Sequence, residues 1–363
     1  MNTEETIIKL ASEKGKFTTA DALVVLKNQI SRQAASMAIN KLVKEGKLMK
    51  GGSTRGAYYV SPKYIESSIA GECVEMNLEN INLKEHEVLV SIKDKSPFIK
   101  TLKDNIFSIF EYGFDEMMNN AIEHSQTKNI ELKVCKNEDN VSFTITDFGV
   151  GVFKNIMQKK ELKSELEAIQ DLLKGKTTTA PKSHSGEGIF FTSKAVDVFI
   201  LESFGLRLRI DNIINDIFVE EIKSEKNGTK VTCIVSLGTN KHLREVFEKY
   251  ETPSEDGRAF DKTEVFIRLF TAGTVFISRS QARRVLVGLE KFKTITLDFD
   301  RVSTIGQAFA DEIFRVFKIK YPDIKIIPKN INPYLQTPVF KNAVYKIRID
   351  NVIIFDCNLR LLA

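Results

Sequence analysis

The sequence predicts a multidomain α+β protein made of three successive parts. Three observations predict it. The first 60 residues show three stretches of helical apolar spacing, then two strand-like runs around a glycine-rich tip. The middle mixes amphipathic helices with alternating strands. The tail follows a β–α–β–α–β order, which indicates an α/β sheet with right-handed crossovers. The chain has 363 residues, 42% of them hydrophobic, enough for two or three domains with packed cores. The boundaries read as 1–60, a linker 61–74, 75–238, a linker 239–262, and 263–363.

Helical spacing begins at Ile7, Ile8, Leu10 and Ala11, and Gly15 ends that helix. Thr18 or Thr19 caps a second helix, with Ala20, Leu23, Val24 and Leu26 as its apolar stripe. Ser31 caps a third, which Gly46 closes. Lys47–Lys50 and Ala57–Val60 then flank the turn from Gly51 to Gly56 as a β-hairpin. Helix, helix, helix, hairpin resembles a winged helix-turn-helix. That resemblance implies DNA binding, with the third helix in the major groove. Ser31, Arg32, Gln33 and Ser36 would face base edges. Lys50 and Arg55 on the wing would meet phosphates or the minor groove, and Lys41, Lys44 and Lys47 would add phosphate contacts. The same fold also serves protein contacts.

Charge agrees with a polyanion partner. Residues 1–60 hold 10 Lys and Arg against 5 Asp and Glu, while the rest of the chain holds 43 of each. The whole net charge of +5 therefore sits in the first segment. No apolar run approaches the ~20 residues of a membrane span. Met1–Leu10 carries Glu4 and Glu5 and reads as no secretory leader, so a cytoplasmic location is expected. Cys73, Cys135, Cys233 and Cys357 form no CxxC pair and read as free buried thiols.

In the middle part, Pro62 marks a connector and Val88–Ile92 reads as a first strand. Ser96-Pro97 starts a helix through Phe110, and a further helix spans Phe114 to Ile122. On it Glu116 and Asn120 are four residues apart and share one face. Asp147-Phe148-Gly149-Val150-Gly151 follows the alternating strand Val141–Thr146. Lys176-Thr177 begins a polar stretch that leads to Gly186-Glu187-Gly188 and an apolar helix, Ile189 to Val196. Backbone N–H groups at that helix start make an anion site. Asn227-Gly228-Thr229 precedes the strand Lys230–Val235. No GxxxxGK[ST] is present, which speaks against a P-loop NTPase.

These four blocks, in this order, resemble the GHKL superfamily of ATP-binding domains over roughly residues 75–238. The resemblance implies ATP and Mg²⁺ as cofactors. It implies that Asn120 binds the metal, that Glu116 is a general base, and that the Asp147 carboxylate accepts from the adenine amino group. Gly149 and Gly151 would let the backbone approach the base. Lys176, Thr177, Gly186 and Gly188 would lie at the phosphates, and Thr229 at the phosphates or an adenine-bound water. Ser185 stands where the family often has a further glycine. His86-Glu87 is like a phosphoacceptor box, but the strand reading of Val88–Ile92 and the missing proline argue against that role.

The tail holds strands Thr263–Phe270, Thr274–Ile277, Thr294–Phe299 and Ile324–Ile327, with helices Ser280–Leu289 and Gln307–Phe317. Leu297 to Phe309 resembles STAS domains, in which a strand ending in Asp leads to a phosphorylatable serine at the next helix start. Gln307 stands at that position and has no hydroxyl. Ser303 and Thr304 lie a few residues earlier. Together the parts imply an ATP-dependent DNA-binding regulator, with a possible protein partner at the STAS-like part and a possible homodimer. The alternatives are a serine/threonine protein kinase like the anti-sigma factors, and an adaptor with a vestigial ATP pocket.

Overall fold

The computed structural model describes residues 3–14, 16–27, 29–45, 47–51, 58–61, 71–176, 187–222, 227–254, 257–270 and 275–331. It is a mixed α+β chain in two compact units, Met1–Phe247 and Glu248–Ala363. Among the described residues no helix is long and apolar enough to cross a membrane.

The first unit begins with α1 (Thr3–Lys14), β1 (Lys16–Thr18), α2 (Thr19–Val25) and α3 (Arg32–Lys44). β2 (Met49–Gly51) and β3 (Tyr58–Val60) follow. Thr18 caps α2 in a reciprocal box with Asp21, and the Ala34 N–H donates to Ser31 Oγ at 3.1 Å to cap α3. Ile7, Leu10, Ala11, Phe17, Ile39, Leu42 and Tyr59 close one core. The strands form a small antiparallel sheet in the order β1-β3-β2. At three residues, β1 is too short to show alternation in the sequence.

The rest of this unit is built on a seven-stranded antiparallel sheet in the order β4-β5-β6-β10-β7-β8-β9. Its strands are β4 (Glu72–Glu79), β5 (Asn129–Lys136), β6 (Asn140–Asp147), β7 (Val198–Ser203), β8 (Leu206–Asp211), β9 (Asp216–Glu221) and β10 (Thr229–Ser236). Two helices, α4 (Glu85–Lys95) and α5 (Asp104–His124), join β4 to β5. Three more, α6 (Val152–Lys159), α7 (Glu165–Lys174) and α8 (Gly188–Ala195), join β6 to β7. α5 lies on the sheet through Phe110 and Phe114, whose rings meet Phe143 edge-on at 5.3 and 5.7 Å.

Four expectations change here. Val88–Ile92 lies inside α4, not in a strand. Val88, Leu89 and Ile92 are buried while Val90 is 57% exposed, which is helical spacing. Glu85 and Glu87 at its start and Lys93 and Lys95 at its end suit the helix dipole. β-Branched content had masked that pattern. One of the two arguments against His86 therefore falls, and the missing proline remains. Second, Asp104–His124 is one continuous 21-residue helix, preceded by a 3₁₀ turn at Pro97–Thr101. Gly113 causes no break because it packs against Thr192 and Phe143, where a side chain would crowd. Third, β4 begins at Glu72, inside the stretch read as 61–74 linker. The 239–262 linker likewise carries α9 (Leu243–Tyr250) and a hairpin, β11 (Glu251–Ser254) with β12 (Gly257–Phe260).

Fourth, Cys73 and Cys135 form a disulfide. They are 62 residues apart in sequence. The β4–β5 register sets them directly opposite one another, with Cα atoms 4.1 Å apart. Cys233 is free and buried, and burial raises its thiol pKa. Cys357 lies outside the described residues.

The second unit continues with β13 (Lys262–Phe266), β14 (Val275–Phe276), α10 (Arg279–Leu286), β15 (Thr294–Asp298), β16 (Thr304–Ile305), α11 (Gln307–Asp311) and β17 (Lys325–Lys329). β13, β15 and β17 form a parallel sheet with β15 in the centre. β14 and β16 pair separately, also parallel, so a short strand, Thr304–Ile305, lies between the expected strand Thr294–Phe299 and the helix from Gln307. α11 runs on through a π-helical stretch, Glu312–Phe317.

A loop of this length gives the disulfide a chain-entropy worth of about 4 kcal/mol. Urea unfolding of oxidised protein should show Cys73→Ser less stable by up to that amount. Dithiothreitol should abolish the difference. Equal stability of oxidised wild type and variant would refute the bridge.

Candidate functional site

The described parts of these blocks are joined by two contacts, one around Asp147 at the ends of β6, β10 and α5, the other between Glu116 on α5 and Gly188 at the start of α8. The connections are local and polar. Asp147 ends β6 and is buried. Its Oδ1 accepts from the Gly149 N–H at 2.9 Å and the Thr229 N–H at 3.2 Å. The Thr229 hydroxyl accepts in turn from the Val152 N–H at 3.0 Å. One carboxylate thus joins the loop after β6, the start of β10 and the start of α6. Burial raises the pKa of Asp147, and these N–H donors oppose the rise.

Glycine is required where backbones meet. A Cβ on Gly228, at φ +94°, would fall 2.1 Å from the Asp147 carbonyl oxygen. A Cβ on Gly149 would fall 1.7 Å from the Ser125 carbonyl oxygen. That carbonyl accepts from the Val150 N–H at 2.9 Å, so the end of α5 holds the Asp147–Gly151 loop. Gly151 caps α6 at φ +76° against the Phe204 ring.

Glu116 and Asn120 are half-buried on α5, one turn apart. The Glu116 carboxylate occupies the place where a side chain on Gly188 would go, since a Cβ there would sit 2.0 Å from Oε2. Glu116 therefore lies beside the first residue of α8. The Asn120 side chain makes no hydrogen bond to the described residues. Lys176 is the last described residue before 177–186 and has φ +53°. Thr177 and Gly186 lie outside the described residues.

Sequence reading missed the second layer of this corner. The Ser203 hydroxyl donates to the Gly228 carbonyl at 2.9 Å, and the Asn80 amide holds the carbonyls of Ile122 and Thr127 at 3.0 and 3.1 Å. Only the Phe204-Gly205 turn after Ser203 offered a signal. Asp115, next to Glu116, faces the other way. Burial first, then Glu111 and Glu85, push its pKa up to about 6. The opposite sheet face carries an open cavity of about 680 Å³. Thr144, Glu202, Arg207 and Lys230 line it, together with Ser203, Gly228 and Thr229; Asp147 does not line it.

In the first segment, Arg32 and Gln33 are exposed at the start of α3 and Ser36 is half-buried. Ser31 is engaged as the helix cap. Lys41 pairs with Glu4 at 2.7 Å and Lys47 with Glu45 at 2.8 Å, exposed pairs that cost little to exchange. The side chains of Lys44 and Lys50, and all of Arg55, lie outside the described residues.

Residues 281–336 match the family described as a STAS-like domain of unknown function (DUF4325). β15, β16, α11 and β17 lie within that match, and β13 precedes it. The chain thus contains a STAS-like domain. Gln307 is exposed at the first position of α11, and Ser303 and Thr304 are exposed before it. No curated protein matches the chain.

Asp115 yields a pH test. Its folded pKa lies above the ordinary carboxylate value of 3.8. The folded state therefore holds the proton more tightly than the unfolded state, and the resulting stability is lost as pH rises from about 4 through about 6. Wild-type melting temperature should fall over that range relative to Asp115→Asn. Parallel curves would contradict the assignment.

Proposed function

We propose that the protein is an ATP-binding, DNA-binding regulator in which a GHKL-type domain is the nucleotide-dependent switch. The observation that carries this is the Asp147 corner. An acceptor-only carboxylate is buried and pinned through one oxygen by two backbone N–H groups. The Thr229 side chain also bonds this carboxyl; a carboxylate so held can accept from an exocyclic amine, which adenine has and guanine lacks at that position. The glycines at 149, 151 and 228 keep backbone close around it.

Asn120 offers an amide oxygen one turn from Glu116. That suits Mg²⁺, which takes few protein ligands and the rest from nucleotide phosphates. Bound there, the ion would neutralise phosphate charge. Glu116, beside the start of α8, would take a proton from an attacking hydroxyl or water. Lys176, Thr177, Gly186 and Gly188 would close over the phosphates, and Thr229 would bind on the adenine side. The first segment would read DNA as a winged helix. The STAS-like domain would serve a protein partner.

The serine-kinase reading keeps the same pocket. It needs a hydroxyl substrate, and Gln307 supplies none at the STAS-like position. A substrate would have to be another chain or another residue.

Titration with a fluorescent ATP analogue tests the pocket. Asp147→Asn should weaken binding by roughly 1.5–3 kcal/mol, the worth of a hydrogen bond to a charged group. Asn120→Ala should remove the Mg²⁺ dependence. Failure of wild type to bind adenine nucleotide at millimolar concentration ends this reading.

Turnover is tested by phosphate release. Glu116→Ala should bind nucleotide nearly as wild type does and lose ~10²–10⁴-fold in rate. An undiminished rate in the variant would remove Glu116 as the base. No turnover in wild type would leave a binding switch.

A further inference from the structure

α3 has two faces. Ala35, Ile39 and Leu42 are fully buried against the core of the first segment. Gln33, Met37 and Asn40 are exposed, with Ser36 half-buried among them. Their spacing of three, four and seven residues makes one outward stripe. Met37, in the middle, is 67% exposed, and Val24 on α2 is 70% exposed.

The polar groups of this stripe are uncommitted. Among the described residues, Arg32, Gln33 and Asn40 make no side-chain hydrogen bond or ion pair. The nearby acids are already matched with lysines. Glu4 pairs with Lys41, Glu13 with Lys9, Asp21 with Lys14, and Glu45 with Lys47. Lys14 and Thr18 hold the Asp21 carboxyl down to about 2. The stripe therefore carries amides, an apolar centre and a guanidinium at its start, with no carboxylate in it. The net charge of +5 in residues 1–60 favours a polyanion over an acidic-poor protein surface.

This side-chain order has a chemical reading in the major groove. Gln and Asn pair with the N6 and N7 edge of adenine, and an apolar side chain packs on the thymine methyl. The usual acceptor for cytosine N4 is a carboxylate, and the stripe has none. From Gln33 to Asn40 is about 10 Å along the helix. That length spans about three base steps of ~3.4 Å.

We propose that α3 reads an A·T-rich half-site, with Met37 against a thymine 5-methyl group and Gln33 and Asn40 on flanking adenines. This rests on the DNA reading above and specifies its ligand. Arg32, at the helix start, takes a guanine or a phosphate at the edge of that site.

The test uses the full chain. Duplexes are selected from a random-sequence pool, and affinities are measured by fluorescence anisotropy at two salt concentrations. The selected duplex is then remade with uracil for thymine, which removes only the methyl. Wild type should lose about fourfold per contacted methyl, the worth of one buried methyl-sized group. Met37→Ala, a surface change to a strong helix former, should lose a similar factor on the thymine duplex and be indifferent to uracil. Gln33→Ala and Asn40→Ala should relax selection at separate A·T positions. G·C-rich selected sites, or equal uracil effects in wild type and Met37→Ala, overturn this inference and leave the DNA reading standing. Absence of any salt-sensitive duplex binding overturns both. A change of oligomeric mass on Met37→Ala without duplex binding would make the stripe a protein contact and overturn the proposal.

Discussion

The Asp147 carboxylate is the constraint on which the middle of this protein depends. It closes the corner between β6 and β10 from the inside, through Oδ1 and the N–H groups of Gly149 and Thr229. A buried carboxylate without donors would be costly, and its raised pKa reflects that cost. Two backbone donors offset it and orient the group. They also fix which backbone segments lie next to one another. The glycines at 149 and 228 follow from that closeness, because neither place has room for a Cβ.

From this corner the other parts fall into place. α5 lies on the sheet through Phe110 and Phe114 and ends at Ser125, whose carbonyl fastens the Asp147–Gly151 loop. The same helix carries Glu116 and Asn120, one turn apart. α8 starts at Gly188, against the Glu116 carboxylate. A side chain at 188 would displace that carboxylate, so two blocks 72 positions apart in number constrain each other. The sheet order makes this possible. β10 is inserted between β6 and β7, which brings Gly228-Thr229 back beside Asp147 after the chain has crossed β7, β8 and β9.

Much of the architecture was legible in one dimension. Ser31 was readable as a cap, and Thr18 as one of two candidates with Thr19, because such side chains satisfy helix N–H groups within three residues. β6 was readable because Val141, Phe143 and Ile145 alternate with Ser142, Thr144 and Thr146, and β10 because an apolar run follows Gly228-Thr229. The β–α–β order of the tail was readable for the same reason, and residues 281–336 carry a STAS-like match. Asp147, Gly149, Gly228 and Thr229 were legible as candidates through the resemblance of their blocks to GHKL domains, in which the glycines let backbone approach closely. α4 was misread because Val88, Leu89 and Ile92 fit a strand or a helix about equally over five residues. Only its burial against α5 decides between them.

The sequence by itself determined local matters: caps, helix faces, strand alternation, the confinement of positive charge to the first 60 residues, and the residue types available for chemistry. Each depends on neighbours within a turn or two. Tertiary structure alone decided what meets across distance. It paired Cys73 with Cys135, placed Glu116 against Gly188, turned Asp115 away from its neighbour, and left Met37 and Asn40 on the outward side of α3. Strand register and helix packing set these contacts. They are properties of the closed chain, because many segments must fit at once before any one of them has a fixed partner.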